Sequence, residues 1–425
     1  MAVSHSSIPD DLGVLLDCGR RLATTNRFEE AVAAFQRAAA LAPDQADVRM
    51  LLGAALVSAD RPAEALPHLR HAVAQRPELP LVHTNLGTAF QALNASNEAL
   101  ACYEAALAVA PDDPLAHFNR AISWLTIGDY RRGWPEFEWR WRCSQFFGRS
   151  LVDDPRRWDG SPLAGRTLLV YTEQGLGDAI QMLRFVPAIR AAGGRVVVRC
   201  GPTLATLLRE AAIADAVVTE DDPLPAIDVH AAVMSLPWLL RVTLEGLPGA
   251  TPYLSVGAAR RAAWRERLAR IPGRRLGVCW KGNPTHPRDG QRSIGVGWFE
   301  QMAPRLDDVT LVSLLHEKPA TDVPGAAIRW LTDVHEGPID LADVAAALLS
   351  LDGVVTVDTV IAHLAGALGV RVWILLPFFA DWRWMLDRPD TPWYPTARLI
   401  RQPRRGDWVR VFQSVTAELA SATPI

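Results

Sequence analysis

No Cys-x-x-Cys pair occurs in this sequence; the five cysteines, Cys18, Cys102, Cys143, Cys200 and Cys279, are isolated and odd in number. A disulfide framework and a structural zinc site are thereby excluded, and reduced, mostly buried thiols are expected. A block of one charge sign is also missing. The formal charge is -3 and the pI about 6.4, with Arg and Lys scattered along the chain, so the basic footprint of a nucleic-acid binder is absent. Long apolar runs are lacking too. Val372 to Leu376, continuing into Pro-Phe-Phe-Ala, falls far short of the roughly 20 residues a membrane helix needs. The start, MAVSHSSIPDD, has no basic segment followed by an apolar core. No membrane span and a cytoplasmic location are the expectations.

What is present is ample material for a core. With 425 residues, 49% apolar and 21% charged, the chain has room for two or three packed domains and is neither disordered nor fibrous.

Three sets of residues recur at a period of 34: Gly19, Gly53, Gly87 and Ala121; Ala31, Ala65, Ala99 and Gly133; Phe35, Leu69, Tyr103 and Phe137. Pro43, Pro77 and Pro111 keep the same step, each where a helix must stop and a turn begin. Small residues let paired helices approach, and the large residue fills the gap to the next pair, which is how a solenoid buries a continuous core. The pattern resembles the tetratricopeptide repeat over about residues 9 to 142, and that resemblance implies a groove for a partner protein, with a spacer or dimerisation role as the alternative. In the last, degenerate repeat, Trp134, Phe137 and Trp141 stand at i, i+3 and i+7 after Pro135, which is read as lying near the start of its helix. This aromatic stripe is expected to be core, at the seam where the solenoid docks onto the next domain.

The repeats are assigned to residues 1–148 and a Pro-, Asp- and Gly-rich linker to 149–162. Beyond it, short β-branched runs alternate with helical stretches. Candidate strands are 167–171, 195–199, 215–218 and 228–233, then 275–280, 309–315, 353–357 and 371–376. This alternation implies parallel sheets with crossover helices in two Rossmann-like halves, 163–256 and 257–425, and ligands are expected at the carboxyl ends of the strands.

Three loops at such ends carry candidate chemistry. In "YTEQGLGDAIQ", Gly175 and Gly177 fit the first two glycines of a dinucleotide fingerprint but the third position is Ile180, so a nicotinamide or flavin is disfavoured. Gln174, Gly175 and Gly177 leave room for a bound hydroxyl to approach Asp178; the alternative is that Asp178 is a helix N-cap, with Gln181 completing a capping box. In "VDTVIAH", Asp358 and Thr359 open a helix whose free amides suit an anion, and His363 lies one turn in, either as a donor or as a buried core histidine. "WKGNPTHPRDGQRSI" gathers Lys281, Asn283, His286, Arg288 and Arg292, a set of cations for a diphosphate or simply a solvated loop. Trp382, Trp384 and Trp393 offer flat faces for a sugar or base, or fill the core.

Together "EQGLGDAIQ", "WKGNPxHxxDxxRSI", "VDTxxAHLAGALG" and "LLPFFADWRWMLDRPDTPWYP" are similar, over about residues 155 to 415, to the bacterial glycosyltransferase family 9 that includes the heptosyltransferases, in its branch fused to tetratricopeptide repeats. The resemblance implies an all-α repeat solenoid followed by a GT-B pair of Rossmann-like α/β domains. It further implies an inverting transfer from a nucleotide-sugar donor to a hydroxyl of a protein or glycan acceptor, with no cofactor and no metal. No Asp-x-Asp pair occurs in the chain to hold a divalent ion on a diphosphate, in line with that last implication. By position, Asp178 falls on the family's proposed general base, with Gln174, Gly175 and Gly177 as acceptor loop. Lys281, Asn283, Arg292, Asp358, Thr359, His363 and Trp382 fall on the donor side. The heptosyltransferases carry Lys where this chain has Arg292 and a more polar loop where it has Phe378 to Trp384, so the resemblance does not carry the donor's identity. Two other readings stay open: a non-catalytic repeat-protein adaptor and a nucleotide-sugar epimerase.

Overall fold

The computed structural model describes residues 11–143, 154–248, 251–315, 328–335 and 337–421. The expected boundary at residue 148 and the first part of the linker, 149–153, lie outside them. The chain divides into two compact units, Met1–Arg149 and Ser150–Ile425.

The first unit is a run of helices: α1 (Leu12–Thr24), α2 (Phe28–Leu41), α3 (Ala46–Ser58), α4 (Pro62–Gln75), α5 (Pro80–Ala92), α6 (Ser96–Val109), α7 (Pro114–Thr126) and α8 (Tyr130–Phe137). The 34-residue period is visible at every level. Within each pair the turn passes through a positive φ at Asn26, Asp60, Asn94 and Gly128, residue types that adopt the left-handed region at low cost. Between pairs, the side chains of Arg49, His83 and His117 reach back to the carbonyls of Pro43, Pro77 and Pro111 at 2.7, 2.8 and 2.7 Å. A Cβ on Gly19, Gly53 or Gly87 would lie within 2.6 Å of Phe35, Leu69 or Tyr103, so the recurring glycine exists for close approach.

Trp134, Phe137 and Trp141 are buried as expected. Pro135, however, is the sixth residue of α8, not near its start, and α8 gives way at Glu138–Arg142 to a 3-10 turn that carries Trp141. A proline there offers no N–H to the preceding turn, which shortens the helix.

The second unit holds two wholly parallel sheets. Strands β1 (Thr167–Tyr171), β2 (Arg195–Arg199), β3 (Ala216–Val218) and β4 (Val229–Ala232) stand in the order β3-β2-β1-β4. Strands β5 (Arg274–Cys279), β6 (Val309–Ser313), β7 (Ile328–Trp330), β8 (Gly353–Val357), β9 (Val372–Leu376) and β10 (Ala397–Arg401) stand in the order β10-β9-β8-β5-β6-β7. Both are Rossmann-like arrangements. β8 and β9 are buried at every residue because helices cover both faces, the condition under which a parallel strand reads as an unbroken apolar run.

Candidate functional site

Strand order reverses once in each sheet, between β1 and β4 and between β5 and β8. At such a point the loops leaving neighbouring strand ends diverge and open a crevice for ligands. The three loops singled out in the sequence leave β1, β5 and β8, three of the four strands that flank these reversals.

After β1, Gln174 adopts a φ of +62°, which a residue other than glycine, asparagine or aspartate takes only when its surroundings impose it. Gln174, Gly175 and Leu176 are exposed, so this loop is open. Helix Leu176–Met182 follows with Gly175 as its N-cap. Asp178 is therefore three residues inside the helix, which corrects the alternative that it is the cap. Because Gly175 has no side chain to cap with, Asp178 reaches back and its Oδ2 accepts the Gly175 N–H at 2.9 Å. Its Oδ1 is held by Nη2 of Arg383. Gly177 is needed for proximity: a Cβ there would sit 2.6 Å from Cδ2 of His363.

His363 lies on helix Val360–Ala367, buried, with its ring stacked against Trp384 at 5.4 Å and Nδ1 2.9 Å from the Tyr394 hydroxyl. Burial above all, and then the charges of Arg383, Arg184 and Arg292, hold its pKa well below the usual imidazole value. His363 is accordingly neutral near pH 7 and brings hydrogen bonding rather than charge. Thr359 caps the same helix, its Oγ1 accepting the Ile361 N–H at 3.2 Å. The neighbouring carboxyl of Asp358 is buried; that burial, with the nearby Asp381, pushes its pKa up against the pull of Arg383 and Arg292.

Arg383 was not read from the sequence. It is 7% exposed and engages three partners: Nε donates to Gln181 Oε1 at 2.7 Å, Nη1 pairs with Asp381 at 2.7 Å, and Nη2 pairs with Asp178. Burial opposes its charge, but Asp381, Asp178 and Asp358 outweigh this and raise its pKa. Its counterpart from the other half, Arg184, is 3% exposed, donates to the Trp393 carbonyl, and lies 5.0 to 5.2 Å from the rings of Tyr253, Tyr394 and Trp393. The signal that could have found Arg383 is the pair Asp381 and Arg383, charged residues set among tryptophans.

The loop after β5 is organised around Asp289, which accepts from Arg292 Nε at 3.3 Å and from Ser293 Oγ at 2.8 Å. Arg292 lies against Gly282 and its charge is felt at Asp358 and His363, so it belongs to the same neighbourhood. Lys281, next to Gly282 in sequence, is half-buried. Asn283 is exposed and its side-chain oxygen accepts from the Thr285 N–H at 3.0 Å, a turn-forming contact. Trp382, Trp384 and Trp393 are 4%, 0% and 0% exposed. The expected stacking face on Trp382 is covered by Trp393, edge-on at 5.9 Å, and by the Arg383 guanidinium at 4.7 Å. Among the described residues, no group of three His, Cys, Asp or Glu side chains is placed to hold a metal ion.

With that geometry in view, comparison with known proteins bears on the helical unit first. The tetratricopeptide repeat family matches residues 16–80 and again 56–121. The N-terminal helices are tetratricopeptide repeats. Protein FlbA of Caulobacter vibrioides is 27% identical over 325 residues, covering 68% of this chain and 52% of its own length. The chain thus spans about half the length of the curated relative it matches. Among solved structures, MamA MSR-1 C2 is 26% identical, with 30% of this chain and 74% of that one covered at a TM-score of 0.27. MamA 41-end from Desulfovibrio magneticus RS-1 is 22% identical, with 32% and 75% covered at a TM-score of 0.29. At so low a superposition score these likenesses carry no weight for fold or function.

Proposed function

We propose that residues 150–425 are a GT-B glycosyltransferase of inverting, metal-independent type, moving a sugar from a nucleotide-sugar donor to a hydroxyl of a protein or glycan acceptor that the repeats recruit. The observation that carries this reading is the meeting, along one seam, of loops from the reversal points of two parallel sheets. An open loop with a carboxylate, Asp178, comes from one sheet; Asp358, Thr359, His363 and Arg292 come from the other. The sequence resemblance supports the same assignment.

In this reading Asp178 accepts the acceptor hydroxyl's proton as that oxygen bonds to the anomeric carbon. The bond from that carbon to the nucleoside diphosphate breaks on the opposite face, and the leaving oxygen keeps the electron pair. Arg292 and the amides at the start of helix Val360–Ala367 meet the charge that develops on the diphosphate. Asp178→Ala should lower transfer by about 10²- to 10⁴-fold with donor binding retained. Transfer at the wild-type rate in that variant removes Asp178 from the chemistry.

One observation favours a second reading, a non-catalytic adaptor whose repeats bind a protein partner: both oxygens of Asp178 are already engaged, by Gly175 and Arg383. A folded protein with no affinity for any nucleotide or nucleotide sugar would favour it.

A further inference from the structure

Asp178 is held in place by a residue from the other half of its unit. We propose that Arg383 is a positioning residue for the Asp178 carboxylate, fixing the direction from which it meets an acceptor hydroxyl; this rests on the transferase reading above.

The guanidinium is a planar, rigid fork, and here each of its nitrogens has a partner: Gln181 at Nε, Asp381 at Nη1 and Asp178 at Nη2. Gln181 is fully buried and lies on the same short helix as Asp178, one turn further on. Arg383 therefore reads two points on that helix and fixes both the carboxylate's plane and the helix that bears it.

The arm that carries Arg383 is itself immobilised. Asp381 accepts the Arg383 backbone N–H at 3.2 Å as well as pairing with its side chain. Trp384 is fully buried, and Nη2 of Arg401 donates to the carbonyls of Trp384 and Met385 at 3.2 and 2.7 Å. Met385 has a φ of +53°, a conformation that such a residue keeps only when surrounding contacts impose it. This arm thus presents Arg383 in one place.

On the carboxylate, Oδ1 faces Arg383 and Oδ2 faces the Gly175 N–H, yet each oxygen has two lone pairs. The Asp178 side chain is 20% exposed, beside the open loop 174–176. Two lone pairs are thus left, one on each oxygen, and the directions in which they can meet a substrate proton are set by the two contacts already made.

The test uses the intact chain and the nucleotide sugar it hydrolyses best among UDP-, GDP-, ADP- and dTDP-sugars, water standing in for the acceptor hydroxyl and giving its proton to Asp178. Arg383→Lys keeps the charge but loses the fork, and Gln181→Leu keeps Arg383 but removes one anchor. Each should lower kcat, by about 10²-fold for Arg383→Lys, as small misplacements of a reacting group do, while KM for the donor stays within about 3-fold. In an Asp178→Asn background, Arg383→Lys should lower the residual rate no further. An unchanged kcat in either folded variant, or the same fold-loss with and without the Asp178 carboxylate, overturns the positioning role. A wild-type chain that turns over no donor overturns the transferase reading, and this inference with it. Midpoints of thermal unfolding near wild type confirm that the variants are folded.

Discussion

His363 shows how much a single residue's meaning depends on its surroundings. In the sequence it is a histidine one turn into a helix; in the fold it is buried against Trp384 and Tyr394 and ringed by Arg383, Arg184 and Arg292. The folded form therefore refuses a proton that the unfolded chain takes up at about pH 6.5. Below that pH the unfolded state binds more protons, so stability should fall as pH drops from about 7 to 5. His68, His230 and His286 are shifted in the same direction, chiefly by burial, and contribute to the same slope. Urea unfolding at several pH values tests this: His363→Gln should flatten the slope, and an identical slope in the variant would show that His363 is not the buried neutral group described. Asp178 was legible as a carboxylate after a strand. Arg383, 205 residues away, was not, because nothing local signals which distant side chain closes an ion pair.

At the scale of elements, the repeat is the most legible part of the chain because its contacts are local and recur. Gly53 faces Leu69, and a Cβ would lie 2.5 Å from the leucine's Cγ. Gly53→Ala should destabilise the unit by about 1–3 kcal/mol through overpacking. Leu69→Ala alone should cost about 2–5 kcal/mol through the cavity it leaves. The double variant should cost less than the two together, since the new methyl enters the vacated space; additive losses in a denaturation series would contradict the contact. Most strands were legible from their β-branched runs, the three-residue edge strand β3 among them. β7, Ile-Arg-Trp, and β10, Ala-Arg-Leu-Ile-Arg, were missed; both lie at the edges of their sheet, and their arginines break the apolar run that marks a strand. The Pro135 misreading has a different origin: the helix starts at Tyr130, where the Asp129 side chain caps it.

At the scale of the whole molecule, several contacts tie the two sheets of the second unit, among them the Arg184–Trp393 hydrogen bond and two arginines with partners in both halves. Arg383 joins them through Asp178 and Gln181, and Arg260 joins them through Glu210 at 2.7 Å and Asp343 at 2.6 Å. Such ties hold the reversal points of both sheets on one seam, where a donor and an acceptor would have to meet. Calorimetric titration of the intact chain, in the presence of a chelator, against nucleoside diphosphates and their sugars should give micromolar binding, about -8 kcal/mol. Arg292→Ala should weaken it at least about 10-fold, the worth of a charge-assisted contact to a diphosphate. No heat with any ligand would leave the adaptor reading standing.

By itself the sequence determined the repeat period, the parallel α/β character of the later residues and the loops in which chemistry was to be sought. All three come from local rules: a period of 34 in small and large residues, apolar runs that only a covered strand explains, and glycines and a carboxylate at strand ends. The tertiary structure alone decided that His363 is neutral, that the tryptophans of 382–393 are wall rather than platform, and that Asp178 faces Arg383. Each of these depends on burial and on charges brought together from distant parts of the chain, and neither quantity exists until the chain has folded.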